Sequence, residues 1–167
     1  ILEKYIEKTE GTLSLFDVPL HFNMYHASKS NGYYDMRYIL RNTLLSSRPD
    51  LSVTFVDNHD TQPGQALCSY IPKWFKPLAY ALILLKKEGL PCVFYGDYYG
   101  LCKSKIAPVV ELKTLLKLRK DYAYGDEIKY FDHHSVVGFT RTGDSEHPNS
   151  GLAVLVTDSV AGEKRMY

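Results

Sequence analysis

Cysteine, tryptophan and surplus charge are all in short supply in this chain of 167 residues. It has three cysteines and one tryptophan, and 20 Lys and Arg against 19 Asp and Glu leave a formal charge of +1. Cys68, Cys92 and Cys102 are odd in number and lack close metal-ligand spacing, which argues against a disulfide framework or a zinc ribbon. Reduced thiols favour a cytoplasmic location on this ground alone, with secretion left open. The missing basic excess argues against a nucleic-acid partner, because such domains carry clustered positive charge. Long apolar runs are absent too. The richest, residues 79–85, is bounded by Lys76 and Lys86 and falls far short of the roughly 20 residues of a membrane helix. No internal repeat or low-complexity segment appears.

What is present is an ordinary globular composition, 45% hydrophobic, able to bury a core. Residues 1–8 read as the tail of a helix, stopped at Gly11. Residues 12–20 read as a short strand containing Asp17, an acid expected to serve as a structural partner for backbone donors. Residues 21–34 read as a polar loop. Asp35 is then expected to cap a helix striped by Met36, Ile39, Leu40, Thr43 and Leu44. Residues 53–58 alternate as a strand. Residues 74–87 carry the clearest helical period, with Phe75, Leu78, Ala79, Leu82 and Leu85 on one face and Gly89 as the stop. Residues 90–96 read as a strand with Cys92 inside it, and residues 106–122 as a helix. This alternation predicts a parallel α/β architecture, barrel or doubly wound, without choosing between them. After Gly125 the period changes. Residues 128–131, 136–141, 152–157 and 163–167 read as short strands of an antiparallel sheet.

The chemistry-bearing stretch is residues 53–61, Val-Thr-Phe-Val-Asp-Asn-His-Asp-Thr, followed by Gln-Pro-Gly. It opens as a strand and breaks into a run too polar and turn-rich to stay buried. A strand delivering acids and an imidazole into a loop is how α/β enzymes present reactive groups. Taken by itself, Asp57-Asn58-His59-Asp60 fits either a catalytic pair or a set of oxygen and nitrogen metal ligands.

Three segments together resemble the alpha-amylase family. Residues 55–65 (Phe-Val-Asp-Asn-His-Asp-Thr-Gln-Pro-Gly-Gln) resemble its last catalytic signature. Residues 89–97 (Gly-Leu-Pro-Cys-Val-Phe-Tyr-Gly-Asp) resemble its Gly-x-Pro-x-x-x-Tyr-Gly strand, at the expected distance. Residues 15–20 (Leu-Phe-Asp-Val-Pro-Leu) resemble the preceding strand of the bacterial liquefying-type enzymes. The resemblance covers essentially the whole chain. It implies the C-terminal part of a (β/α)8 TIM barrel over residues 1–125, then the start of an antiparallel β-sandwich domain over residues 126–167. A complete barrel takes about 250 residues, and the chain opens at Ile1 with no signal-like pattern, so it is expected to be part of a longer protein.

The implied activity is endo-acting, retaining hydrolysis of α-1,4-glucans (starch, glycogen or maltodextrin) by a monomer. A glucanotransferase of the same family, or a non-catalytic carbohydrate-binding relative, is the alternative. Asp60 matches the family's third carboxylate, a transition-state stabiliser hydrogen-bonded to hydroxyls of the sugar being cleaved. His59 matches the assisting imidazole, Gln65 is a candidate for the substrate groove, and Asp57 and Asn58 match framework positions. The nucleophile and general acid would lie on earlier strands, since no Gly-x-Arg-x-Asp or Glu-Val-Trp run occurs here. The chain alone is therefore expected to be inactive. The resemblance also implies calcium, with its main site outside this chain. An interdomain site would use the backbone carbonyls of Gly32 and Tyr34 with His134 and Asp158. Ser135 stands where that run usually has Asp, which weakens the site. Chloride is not expected, because Cys92 occupies the position of the basic residue in the chloride-dependent branch.

Overall fold

The computed structural model describes residues 1–159 and 161–167. Its first half is built on three parallel strands, β1 (Leu15–Phe16), β2 (Ser52–Phe55) and β3 (Leu90–Cys92), ordered β1-β2-β3. Phe16 pairs with Val53 and Val53 with Leu90, so these residues share one row across the sheet. Parallel neighbours need crossover connections, and helices supply them. Between β1 and β2 run α2 (Val18–Lys29) and α3 (Leu44–Ser47), and between β2 and β3 runs α4 (Lys76–Leu84). The helix α1 (Leu2–Lys8) precedes the sheet, and α5 (Tyr95–Tyr99) and α6 (Leu112–Tyr122) follow it. A second sheet, antiparallel, joins β4 (Glu127–Tyr130), β5 (Val136–Arg141) and β6 (Leu152–Thr157) in that order.

One continuous core joins the two sheets. It runs from Leu20 and Met24 of α2, through Ala79, Tyr80, Leu82 and Ile83 of α4, to Val137 and Phe139 of β5 and Val156 of β6. The face of the parallel sheet that carries Ser52 and Thr54 is buried. On the other face Phe16, Leu90 and Cys92 are exposed, so Cys92, expected inside an apolar strand, lies open. Phe55 on that face is covered edge-on by Phe16 and by the stacked ring of His21.

Several boundaries differ from those read off the sequence, for local reasons. The strand expected over residues 12–20 stops at Phe16, because Asp17 caps a helix instead. Its Oδ1 accepts from Leu20 N at 3.0 Å, and Pro19 sits in the first turn, where a missing N–H costs nothing. The expected loop over residues 21–34 is thus largely α2, whose buried residues Leu20, His21, Met24, Ala27 and Ser28 recur at helical spacing. The single helix expected after Asp35 is two pieces, a 3-10 turn at Met36–Tyr38 and α3. Asn42 at φ 58° breaks the run, and Thr43 caps α3 by accepting from Ser46 N. The helix expected from residue 106 begins only at Leu112, past Pro108, while residues 95–99, expected near a strand end, form α5. Residues 163–167 form no strand. Instead, Tyr130 Oη donates to the Tyr167 carbonyl at 2.6 Å and accepts from Tyr167 N at 2.7 Å.

Asp17 has the structural role expected of it. It is 0% exposed, and its Oδ2 also accepts from Leu45 N at 2.7 Å and Ser52 Oγ at 3.1 Å, tying α2, α3 and β2 together. Replacing it by Ala leaves buried donors without an acceptor and is expected to destabilise the full-length protein by about 2–4 kcal/mol. Urea denaturation checks this, and a loss below about 1 kcal/mol contradicts it.

Candidate active site

The chain leaves β2 through Val56, whose carbonyl accepts from Nδ1 of His21 at 2.7 Å. His21 is fully buried; its Nε2 meets Ser69 Oγ at 2.8 Å. Burial, with Lys76 and His26 adding to it and the Val56 carbonyl opposing, holds its pKa below the ordinary imidazole value. The neutral ring props the strand exit from beneath. The sequence gives no hint of this, because the helix that carries His21 reads there as a loop.

Asp57 then turns inward. Thr61 Oγ1 donates to its Oδ1 at 2.9 Å; Ile71 N, at 3.3 Å, and Lys76 Nζ, at 2.9 Å, reach its Oδ2. Asn58 Oδ1 accepts from the backbone N–H of Asp60 (2.9 Å) and Thr61 (3.0 Å), an Asx turn that folds the chain back on itself. Asn58 N donates to Thr61 Oγ1 at 2.9 Å, and Gln62 Nε2 to the His59 carbonyl at 3.1 Å. Asp57 and Asn58 are framework, and His59 and Asp60 form the crown of the arch they build.

At that crown the side chains face outward, His59 81% and Asp60 55% exposed, with His59 Nε2 3.5 Å from Asp60 Oδ1. The Asp60 carboxylate accepts no hydrogen bond from the described residues. It lines a cavity of about 420 Å³ walled by Phe22, Tyr25, Phe55 and Leu67, and among the described residues it is the only carboxylate there. Apolar and aromatic walls with one carboxylate and a few neutral polar groups, Asn58, Thr61 and Ser69 among them, suit a polyhydroxylated ring, which offers C–H faces and O–H donors together. Neither His59 nor Gln65 lines this cavity. Gln65 is exposed in the following loop, its N–H donating to the Gln62 carbonyl at 3.3 Å.

Beneath the arch lies a buried charge cluster that the sequence does not announce. Lys76, 1% exposed, bonds Asp57 and Asp97 together, with the Tyr70 ring 3.7 Å from its Nζ. Tyr80 Oη donates to Asp97 Oδ2 at 2.7 Å. One ammonium between two acids leaves an excess negative charge in a dry place. Asp57 has Thr61, Ile71 and Lys76 as donors, yet its burial still disfavours the charge. Burial pushes its pKa up to about 6, against the opposing pull of Lys76 and Thr61. Burial disfavours the charge on Lys76, yet Asp57 and Asp97 outweigh it and raise its pKa.

The proposed calcium residues sit in three segments that meet at one place. A Cβ on Gly32 (φ 85°) would lie 3.3 Å from the Asp158 carbonyl oxygen. Met36 N donates to the His134 carbonyl at 2.6 Å, and Asp158 N to Ser135 O at 3.4 Å. Asp158 is 6% exposed, and both of its carboxylate oxygens lack a hydrogen-bond partner among the described residues. Burial pushes its pKa up, with His134 opposing and Asp35 adding to the rise. Among the described residues no group of three His, Cys, Asp or Glu side chains is arranged for a metal. A cation here would rest on one carboxylate and on backbone carbonyls, a donor set that fits a weakly held hard ion.

No family model matches the chain. It is 57% identical, over 99% of its length, to an alpha-amylase of Geobacillus stearothermophilus. It is 50% identical, again over 99%, to the glucan 1,4-alpha-maltohexaosidase of Bacillus sp. strain 707. The chain belongs to the alpha-amylase family. It spans 30% and 32% of those two relatives, about a third of their length. A solved structure of AmyP in complex with maltose shares the fold, with TM-score 0.56 at 15% identity over 87% of this chain and 39% of that one. No helix of this amylase-family chain, among the described residues, is long and apolar enough to cross a membrane.

The Asp57 cluster sets a pH dependence with a definite sign. Its folded pKa of about 6 lies above the ordinary 3.8, so between those values the folded state keeps a proton that the unfolded chain has lost. The contribution is complete below about pH 4 and is lost as pH rises through 6, by up to about 3 kcal/mol. Asp57→Asn in the full-length protein is expected to remove that slope from the urea midpoint measured against pH. Equal slopes in both proteins contradict the assignment.

Proposed function

We propose that residues 1–125 are the C-terminal part of the catalytic (β/α)8 barrel, and residues 126–167 the start of the β-sandwich domain, of an endo-acting retaining α-1,4-glucan hydrolase. Starch, glycogen or maltodextrin would be its substrate. The observation that carries the reading is Asp60: an exposed carboxylate whose one charged neighbour is His59 at 3.5 Å, held on an arch anchored at both ends, on the wall of a largely apolar cavity.

Cleavage of a glycosidic bond passes through an oxocarbenium-like transition state, and hydrogen bonds to ring hydroxyls strengthen as the ring distorts. An acceptor placed before substrate arrives, where the hydroxyls of the distorted ring will lie, binds that ring better than the relaxed one. That difference, rather than binding as such, lowers the barrier. His59 is suited to a neighbouring hydroxyl. The reaction also needs a nucleophile and an acid on either side of the scissile bond, and Asp60 alone is neither. These two groups are assigned to the part of the relatives that the chain does not span.

Calcium belongs to the same proposal. The orphaned carboxylate of Asp158 with the carbonyls of Gly32, Tyr34 and His134 would hold one ion and supply a tie between segments, with no part in the reaction.

In the full-length protein Asp60→Asn is expected to lower kcat on maltodextrin by at least about 10²–10³-fold with little change in Tm, while the 167-residue chain alone cleaves no starch. A loss under tenfold, or cleavage by the chain alone, overturns the reading. Asp158→Ala is expected to reduce the calcium bound per full-length molecule, measured by equilibrium dialysis, by one. Unchanged stoichiometry removes the ion from this site.

A further inference from the structure

We propose that Lys76 is a positioning residue for Asp60, acting through Asp57 and Thr61; this rests on Asp60 being the sugar-facing carboxylate. Lys76 opens α4, well removed in sequence from the arch. Its Nζ holds Asp57 at the exit of β2 and Asp97 in α5, just beyond β3. Asp57 passes the constraint on. One of its oxygens takes Lys76 and the other takes the hydroxyl of Thr61, which in turn accepts from Asn58 N. The arch is thereby closed across its base, and His59 and Asp60 ride on top.

Apart from His59 of the same arch, whose Nε2 lies 3.5 Å away, no described residue bonds the Asp60 carboxylate, so its place is set by where the arch stands. The arch stands on an ammonium held by Asp57, Asp97 and the Tyr70 ring. The Asp97 arm is itself fixed. Tyr80 Oη donates to Asp97 and accepts from Phe94 N at 3.4 Å, so the ends of β2 and β3 are registered against each other. Stability alone gives little reason for such a cluster, since apolar residues of the same volume commonly pack as well as buried ions. A reacting geometry gives a strong one, because a displacement of about 1 Å can cost about 10²-fold in rate.

The test is a double-mutant cycle on kcat/KM for maltodextrin in the full-length protein, with Asp60→Asn measured alongside. Thr61→Val and Lys76→Met are each expected to lower kcat/KM about ten- to hundredfold. The double variant should fall no more than about threefold below the worse single one, because both cut the same chain of contacts. Thr61→Ser, which keeps the hydroxyl, should recover activity to within about threefold, and Thr61→Val should keep its Tm within a few degrees. If Lys76→Met does not fold, Asp57→Asn replaces it in the cycle with the same expectation. Losses that multiply, or a fully active Thr61→Val beside a dead Asp60→Asn, overturn the positioning role alone. A fully active Asp60→Asn overturns the reading of the site and this inference with it.

Discussion

The structure depends on one buried cation. Lys76 lies in a dry place between two carboxylates, and removing it would leave both acids facing each other without a counter-ion. The position is available only because α4 is buried almost all round: Ala79, Tyr80, Leu82, Ile83 and Leu84 are all within the core. A helix so enclosed has its first turn pressed against the strand exits, and a long flexible side chain there can reach both. The apolar packing of α4 and the polar cluster at its start are therefore one feature. Burial fixes the helix, and the helix fixes the charge beneath the arch.

The other end of α4 is held by the opposite device. Its last carbonyls have no partners within the helix, and two guanidinium groups supply them: Arg119 of α6 donates to Leu84 O, and Arg141 of β5 to Leu85 O at 3.2 Å and Gly125 O at 2.9 Å. Lys86 pairs with Glu127 of β4, which also accepts from Lys87 N at 2.8 Å. Burial lowers the pKa of Lys86 against the pull of Glu127, so the pair is a joint more than a source of stability. The helix that seats the arch at one end thus anchors the antiparallel sheet at the other.

How much of this was legible in the sequence depended on whether the signal was local. The break of the strand into a turn-rich run was, though the framework role of Asp57 and Asn58 came only from the family resemblance. The helical period of α4 and the short turn-bounded strands β5 and β6 were local too. By contrast α2 was hidden, because His21, Asn23 and Ser28 made it look like a loop, and only the Asp17-Val18-Pro19 start signal argued otherwise. Lys76 was invisible for a different reason. A lysine in the first turn of an apolar helix reads as a solvated residue, and only the meeting of β2 and β3 in space gives it two acids.

The two faces of the parallel sheet bear on the chemistry as well. Parallel sheets are ordinarily covered on both faces, whereas here Phe16, Leu90 and Cys92 stand open on one. Asp60 shows the same one-sidedness: it faces a cavity whose described walls hold no second acid, yet glycoside hydrolysis needs a pair flanking the bond. Further parallel strands that pair with β1 or β3 and curl the sheet round onto itself would cover the open face and, ending at the same edge as β2, would deliver side chains towards Asp60. In a parallel sheet all strand ends point one way, so covering the apolar face and completing the acid set are met by the same added strands. The open face and the lone acid of the proposed reaction therefore pose one and the same requirement.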